Sequence, residues 1–205
     1  MTDKTTTTPP QSVLSSDLFD GLQADTMERG ATISPCGLYR YSLWRKWAPG
    51  PMCVFIGLNP STADATLDDP TIRRCVGFAK AWGFSGLMML NLFAYRATEP
   101  ADMKAAQDPI GPENDDALRF AHSNTTTVVA AWGAQGTFKG RDQQVRAMLP
   151  RLHYLRLTKD GHPGHPLYLP ASLKPLVWEQ SNTEVDRPES GRTQSYALTG
   201  EKENQ

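Results

Sequence analysis

Residues 54–64 read Val54-Phe55-Ile56-Gly57-Leu58-Asn59-Pro60-Ser61-Thr62-Ala63-Asp64, an apolar run that stops in a small, polar, proline-broken loop. Val54, Phe55 and Ile56 suit a strand covered on both faces. Gly57 lets a backbone or a ligand come close, and Pro60 ends strand pairing by removing a donor and restricting the residue before it. That residue is Asn59, whose side chain is therefore expected in a fixed place at the strand's carboxyl end, where open α/β sheets bind ligands. An Asx-type turn, in which Asn59 and Ser61 only cap backbone groups, is the competing reading of the same residues.

Working outward, the aromatic, partly alternating YRYSLWRKW at 39–47 and the Ala48-Pro49-Gly50-Pro51 turn after it predict an edge strand and hairpin entry into the central strand. Downstream, Asp69 and Pro70 have the chemistry of a helix N-cap and first helical residue. Ile72, Cys75, Val76, Ala79 and Trp82 then recur at helical spacing up to Gly83, leaving Arg73, Arg74 and Lys80 mostly outward. A second apolar run, 87–90, also stops at an asparagine, Asn91. A helical crossover between two such strands makes them parallel neighbours and puts both asparagines at one rim. Further strands are expected at 126–131 and 152–157. Helices are expected within 99–112, at 113–122 and 140–149, and after Pro170. Alternating strands and helices predict an α/β fold, a three-layer α/β/α sandwich around a mainly parallel four-stranded sheet.

The length, 205 residues, suits one domain, taken here as residues 26–179. Residues 1–25, with a Thr-Thr-Thr-Thr-Pro-Pro tract, and 180–205, almost all polar, read as flexible tails. The net charge of −1 is unevenly spread: residues 26–178 hold 17 Lys and Arg against 12 Asp and Glu. A mildly basic domain permits a polyanionic partner without demanding one. Cys36, Cys53 and Cys75 lack paired short spacing, which argues for a reducing compartment and against a disulfide framework or a four-cysteine metal site. With no membrane-length apolar run and no signal-peptide core, a cytoplasmic protein is expected.

Four loops should meet at the rim: 59–69, 91–96, 132–136 and 158–168. They gather two asparagines, two histidines, several acids, Arg96 and aromatic rings, more polar chemistry than a structural rim needs. Asn59 can accept a hydrogen bond from water while its amide donates elsewhere. Asn91 presents a donor and an acceptor together, matching a pyrimidine edge. His165, between Gly164 and Pro166, can donate to an oxygen that becomes negative. Phe93 and Tyr95 are candidates to stack on a base, or core residues. Arg73 reads as a solvated helix position or a phosphate contact. Asp64, Asp68 and Asp69 are the alternative, a magnesium site. Gly133-Ala134-Gln135-Gly136 looks like a phosphate loop but lacks the Lys-Ser/Thr of a triphosphate motif.

The segments GLNPSTAD, DDPTIRRC, NLFAYRAT, GPEND, AAWG and LTKDG…HPLYLP, in that order, resemble the bacterial and phage family known as domain of unknown function 1643. More distantly, Gly57-Leu58-Asn59-Pro60-Ser61 resembles the first motif of the uracil-DNA glycosylase superfamily, in the branches whose asparagine positions the attacking water. Leu90-Asn91-Leu92 is similar to the segment whose asparagine reads the extruded base. His165-Pro166 is similar to the late motif whose histidine stabilises the departing base. Leu167 stands where that motif usually continues with serine, and no aromatic residue closely follows the first motif.

The resemblance implies a glycosylase-like enzyme that hydrolyses the N-glycosidic bond of an extruded or modified base. Extrusion is required because the bond is inaccessible in a stacked duplex. Asn59 and His165 would be catalytic. Gly57, Pro60, Ser61, Asn91, Phe93 and Tyr95 would line the base site, and Arg73, Arg96 and Lys159 would hold phosphate. The expected partner is nucleic acid, DNA ahead of RNA, or a modified nucleotide, with no metal, organic cofactor or membrane. The rival readings are a non-catalytic binder of modified or damaged nucleic acid and a metal-dependent phosphohydrolase built on Asp64, Asp68 and Asp69.

Overall fold

A computed structural model of the chain describes residues 27–61 and 65–179; the two expected tails and Asp64 lie outside the described residues. Seven strands, β1 (Glu28–Ile33), β2 (Arg40–Lys46), β3 (Met52–Gly57), β4 (Gly86–Asn91), β5 (Val128–Ala130), β6 (Leu152–Tyr154) and β7 (Leu176–Trp178), form one sheet in the order β1-β2-β4-β3-β5-β6-β7. The helices are α1 (Pro70–Ala81), α2 (Pro100–Ala105), α3 (Asn114–Ser123) and α4 (Arg141–Met148), with 3-10 turns at Ala134–Gly140 and Pro166–Tyr168. None of the described helices is long and apolar enough to cross a membrane.

The four strands expected to run parallel do so, as the central block β4-β3-β5-β6. The sheet around them is mixed rather than four-stranded and parallel, because β2 and β1 extend it antiparallel at one side and β7 at the other. Residues 39–47 therefore do not form the edge: β1, exposed along most of its length, pairs outside β2 and occupies that position. The helix expected after Pro170 does not form. Pro175 removes a helical donor, and the β-branched and aromatic residues behind it pair with β6 instead, Leu152 opposite Trp178.

Strand alternation builds two cores. Cys53, Phe55, Leu87, Met89 and Val129 pack with α1 residues Ile72, Cys75, Phe78 and Ala79 on one face. Val54, Ile56, Leu90, Val128 and Ala130 pack on the other face with Met103 of α2, Leu118 of α3 and Val145 of α4. Burying the central strands on both sides explains their unbroken apolar sequence. Burial pushes the Cys53 and Cys75 thiols up, keeping them inert packing groups. Helix α1 starts as its sequence requires, with the Asp69 carboxylate accepting from the Ile72 N–H (2.8 Å) and Pro70 in the first turn. Gly83, at φ +83°, ends it. Arg74 departs from the outward face expected of it: its guanidinium lies over the Phe78 ring and donates to the Leu169 carbonyl, tying the 166–168 turn to α1.

Candidate functional site

Parallel pairing brings the carboxyl ends of β3, β4, β5 and β6 to one rim, where the loops are bonded to each other. The β3/β4 ladder runs on past the strands, with Leu92 N–H donating to Gly57 O (2.9 Å) and Phe93 N–H to Leu58 O (3.0 Å). The Ala97 N–H donates to Pro60 O (3.0 Å), and the Gly133 N–H to Pro163 O (2.9 Å), which joins the β5 loop to the segment leading to His165. Within this frame is a cavity of about 470 Å³ whose lining includes Gly57, Asn59, Ser61, Asn91, Trp132 and His165. Its size falls within the roughly 300–1,000 Å³ usual for small-molecule sites.

Asn91 is the last residue of β4, 2% exposed, and its Nδ2 has no hydrogen-bond partner. Its register partner across the parallel ladder is Gly57. The missing side chain there leaves the space that the Asn91 carboxamide uses. Asn59 is fixed differently: its Nδ2 donates to the carbonyls of Pro60 (3.1 Å) and Ala97 (2.8 Å). With the amide nitrogen held by backbone, the Oδ1 is the end of Asn59 that can act on a water or ligand.

His165 precedes the 166–168 turn, half-buried against Tyr168 at 5.6 Å between ring centroids. Its Nδ1 is buried without a partner, and burial lowers its pKa, with Asp69 pulling the other way. The imidazole is therefore neutral near pH 7, a form that can donate a hydrogen bond without first carrying charge. Trp132, 2% exposed, brings a third unpartnered polar atom, Nε1, to the same cavity. Arg40, also 2% exposed, supplies a cation to the wall, and Tyr168, 84% exposed, stands at the mouth.

Sequence reasoning missed Arg40, Trp132 and Tyr168 as site residues. A signal existed for two of them: Arg40 is a charge inside an aromatic, half-buried strand pattern, and Trp132 follows the third parallel strand as Asn91 closes the second.

Other expected site residues lie elsewhere. Phe93 is fully buried and packs on Phe138 at 5.6 Å, so its ring belongs to the core below the rim. Tyr95 packs edge-on against Tyr39 at 6.0 Å. Pro60 is buried and shapes the loop through its carbonyl without lining the cavity. Arg73 donates to Asp68 O (2.5 Å), Arg96 donates to Gly37 O (3.1 Å), and Lys159 sits in an exposed turn. None of these three basic residues lines the cavity. Of the acids, the two that lie among the described residues are committed as well. Asp68 accepts from the Arg45 Nε at 2.7 Å and from Arg29 at 3.2 Å, and Asp69 caps α1. Among the described residues no group of three or more His, Cys, Asp or Glu is placed to hold a metal ion.

The model of the family described as protein of unknown function (DUF1643) matches residues 40–167, more than half of the chain. No curated protein and no solved structure matches the chain.

Proposed function

The chain belongs to the DUF1643 family, and from the chemistry of its rim we infer that it binds a nucleobase displaced from nucleic acid, DNA ahead of RNA, and hydrolyses its N-glycosidic bond. The observation that carries this reading is the buried, unpartnered Nδ2 of Asn91, a residue that lines one cavity together with Asn59 and His165. A buried N–H without a partner costs about 1–3 kcal/mol, a cost that an incoming acceptor removes.

In this mechanism Asn91 reads the base edge. The Asn59 Oδ1 accepts a hydrogen bond from a water and aims its oxygen at the anomeric carbon, while Pro60 O and Ala97 O prevent the amide from turning over. As the glycosidic bond lengthens, negative charge moves onto the base, and the neutral His165 donates to it. Asn59 has no useful basicity, so the water loses its proton only after bond cleavage is advanced, and that proton ends on the departed base anion, which leaves as the neutral base. The aromatic surface available to the base is Tyr168 at the mouth, in place of the Phe93 and Tyr95 considered from sequence.

Support for a uracil-DNA glycosylase-like core inside the mixed sheet comes from the four parallel strands β4-β3-β5-β6, with asparagines closing or following two of them. A reducing, cytoplasmic setting belongs to the same proposal and fits the free thiols of Cys36, Cys53 and Cys75. Pairing of Asp68 with Arg45 and capping by Asp69 weigh against the carboxylate-metal alternative.

The test is base release under single-turnover conditions from single- and double-stranded oligonucleotides carrying uracil, hydroxymethyluracil, hypoxanthine or thymine, with chelator present. Release that Asn59→Ala abolishes establishes the hydrolase and names the base. Base-dependent retention without release moves the assignment to a non-catalytic binder, and the absence of both release and retention refutes a base site.

A further inference from the structure

Two buried donors at this rim belong to residues that line the same cavity from neighbouring parts of the sheet. One is the Asn91 amide; the other is the Trp132 indole N–H, which has no acceptor capacity at all. A tryptophan buried for packing alone ordinarily finds a carbonyl for that N–H, as two other tryptophans here do: Trp47 donates to Phe84 O and Trp82 to Leu173 O, both at 2.9 Å. Among the described residues, Trp132 is the tryptophan whose Nε1 is buried without a partner, and it lines the cavity.

Its ring is also held unusually firmly. A Cβ on Gly136 would lie 2.2 Å from Trp132 Cδ1 and 2.8 Å from Nε1, so the pyrrole edge of the indole rests directly on the backbone of the 134–140 turn. Elsewhere the ring meets Trp178 at 5.9 Å between centroids, and Trp178 is itself covered by Arg146 at 4.1 Å. The N–H direction is thus set by packing before any ligand arrives, as a preorganised recognition group requires.

We propose that Trp132 is a specificity-determining residue of this cavity, its indole N–H donating to an acceptor atom of the bound base at a point separate from the edge read by Asn91. This rests on the base-binding reading above and adds a second contact to it. The two donors together require two acceptors on the occupant. A base that turns an amino hydrogen toward Trp132 meets donor against donor and leaves two buried groups unsatisfied, which is how a rigid polar site rejects a close analogue.

The experiment is a heteronuclear NMR titration of the wild-type protein with free uracil, hypoxanthine, cytosine and adenine, following the assigned Trp132 indole and Asn91 carboxamide resonances. The other indoles serve as internal references. The expected result is a saturable downfield shift of the Trp132 N–H that tracks the Asn91 shift, together with roughly tenfold weaker binding to Trp132→Phe. Movement of Asn91 with a stationary Trp132 indole overturns the role of Trp132 and leaves the base site standing. No shift at either residue with any of the four bases overturns both. Should Trp132→Phe not fold, the wild-type titration alone decides between these outcomes.

Discussion

Gly57 and Asn91 are direct register partners at the carboxyl ends of β3 and β4, and a Cβ at position 57 would fall 2.9 Å from Asn91 Oδ1 and 2.7 Å from Met89 Cε. The Met89 methyl can swing aside, whereas the Asn91 amide is confined between the strands. Gly57→Ala is therefore expected to lower stability by only about 1 kcal/mol, at the mild end of overpacking, while reducing base binding at least tenfold. Paired thermal melts and binding titrations separate the two effects. A loss of binding that merely follows a collapse of the fold would remove Gly57 from the site.

A comparison of two buried asparagines tests whether Asn91 is there for function. Asn114, fully buried, donates from Nδ2 to Asn91 O (3.1 Å) and Leu92 O (2.9 Å) and so holds the rim together. Asn114→Ala strips those carbonyls of a donor and is expected to cost about 1–3 kcal/mol. Asn91→Ala removes a donor that has no partner, so stability should stay level or rise slightly while base release falls by two orders of magnitude or more. Urea denaturation of both variants distinguishes them. Equal destabilisation would make Asn91 a structural residue.

Both asparagines that close the rim were legible in the sequence, because an apolar run ending abruptly in a polar residue marks the carboxyl end of a buried strand. Of the two readings of Phe93, base stacking or core packing, the core one holds for a related reason. The ladder continues two residues beyond Asn91 through the Leu92 and Phe93 N–H groups, which keeps that ring in the core rather than in the loop. The place of Trp132 at the rim was legible, but the direction of its N–H was not, since the ring is fixed by contact with Gly136 and Trp178, a tertiary arrangement that no local pattern encodes. Likewise β1 and β7 owe their existence to available sheet edges, and their short or exposed sequences carry little periodicity of their own.

The pairing of Asp68 makes a prediction about stability rather than chemistry. Arg45 is 0% exposed, and the Asp68 carboxylate is its charged partner at 2.7 Å. Asp68→Asn takes a carboxylate away from a buried guanidinium, a change worth roughly 3 kcal/mol. Magnesium should neither restore the variant nor further stabilise the wild-type protein. Denaturant midpoints measured with magnesium and with chelator check this, and a magnesium-dependent midpoint in the wild-type protein would revive the carboxylate-metal alternative.

Burial lowers the pKa of His165 below its ordinary 6.5, with an opposing pull from Asp69, and burial lowers that of His122, with Arg151 acting in the same direction. For such groups the unfolded chain takes up protons first as pH falls. The stability linked to them is complete above about pH 6.5 and declines as pH drops toward and through the folded values. His165→Gln should flatten part of the stability decline between pH 7 and 5. It should also remove the acid limb of base release, which in the wild-type protein lies below pH 6.5. An acid limb centred above that value would show that His165 is charged in the working enzyme and that its assignment as a neutral donor is wrong.

Tyr168 offers the cleanest separation of binding from folding. Its ring is 84% exposed at the cavity mouth and touches the His165 imidazole at 5.6 Å, so removing it costs the folded state little; surface changes of this kind stay within about 0.5 kcal/mol. An aromatic ring stacked on a base contributes about 1–3 kcal/mol, which predicts that Tyr168→Ala weakens base binding by roughly 5- to 150-fold. Tyr168→Phe should retain most of the affinity, because stacking uses the ring and not the hydroxyl. If the reading is correct, the loss in Tyr168→Ala appears as a raised KM, with kcat changing less, because the ring grips the base before and during cleavage alike. A variant with full affinity but a depressed kcat would instead place Tyr168 behind His165, orienting the imidazole rather than holding the ligand.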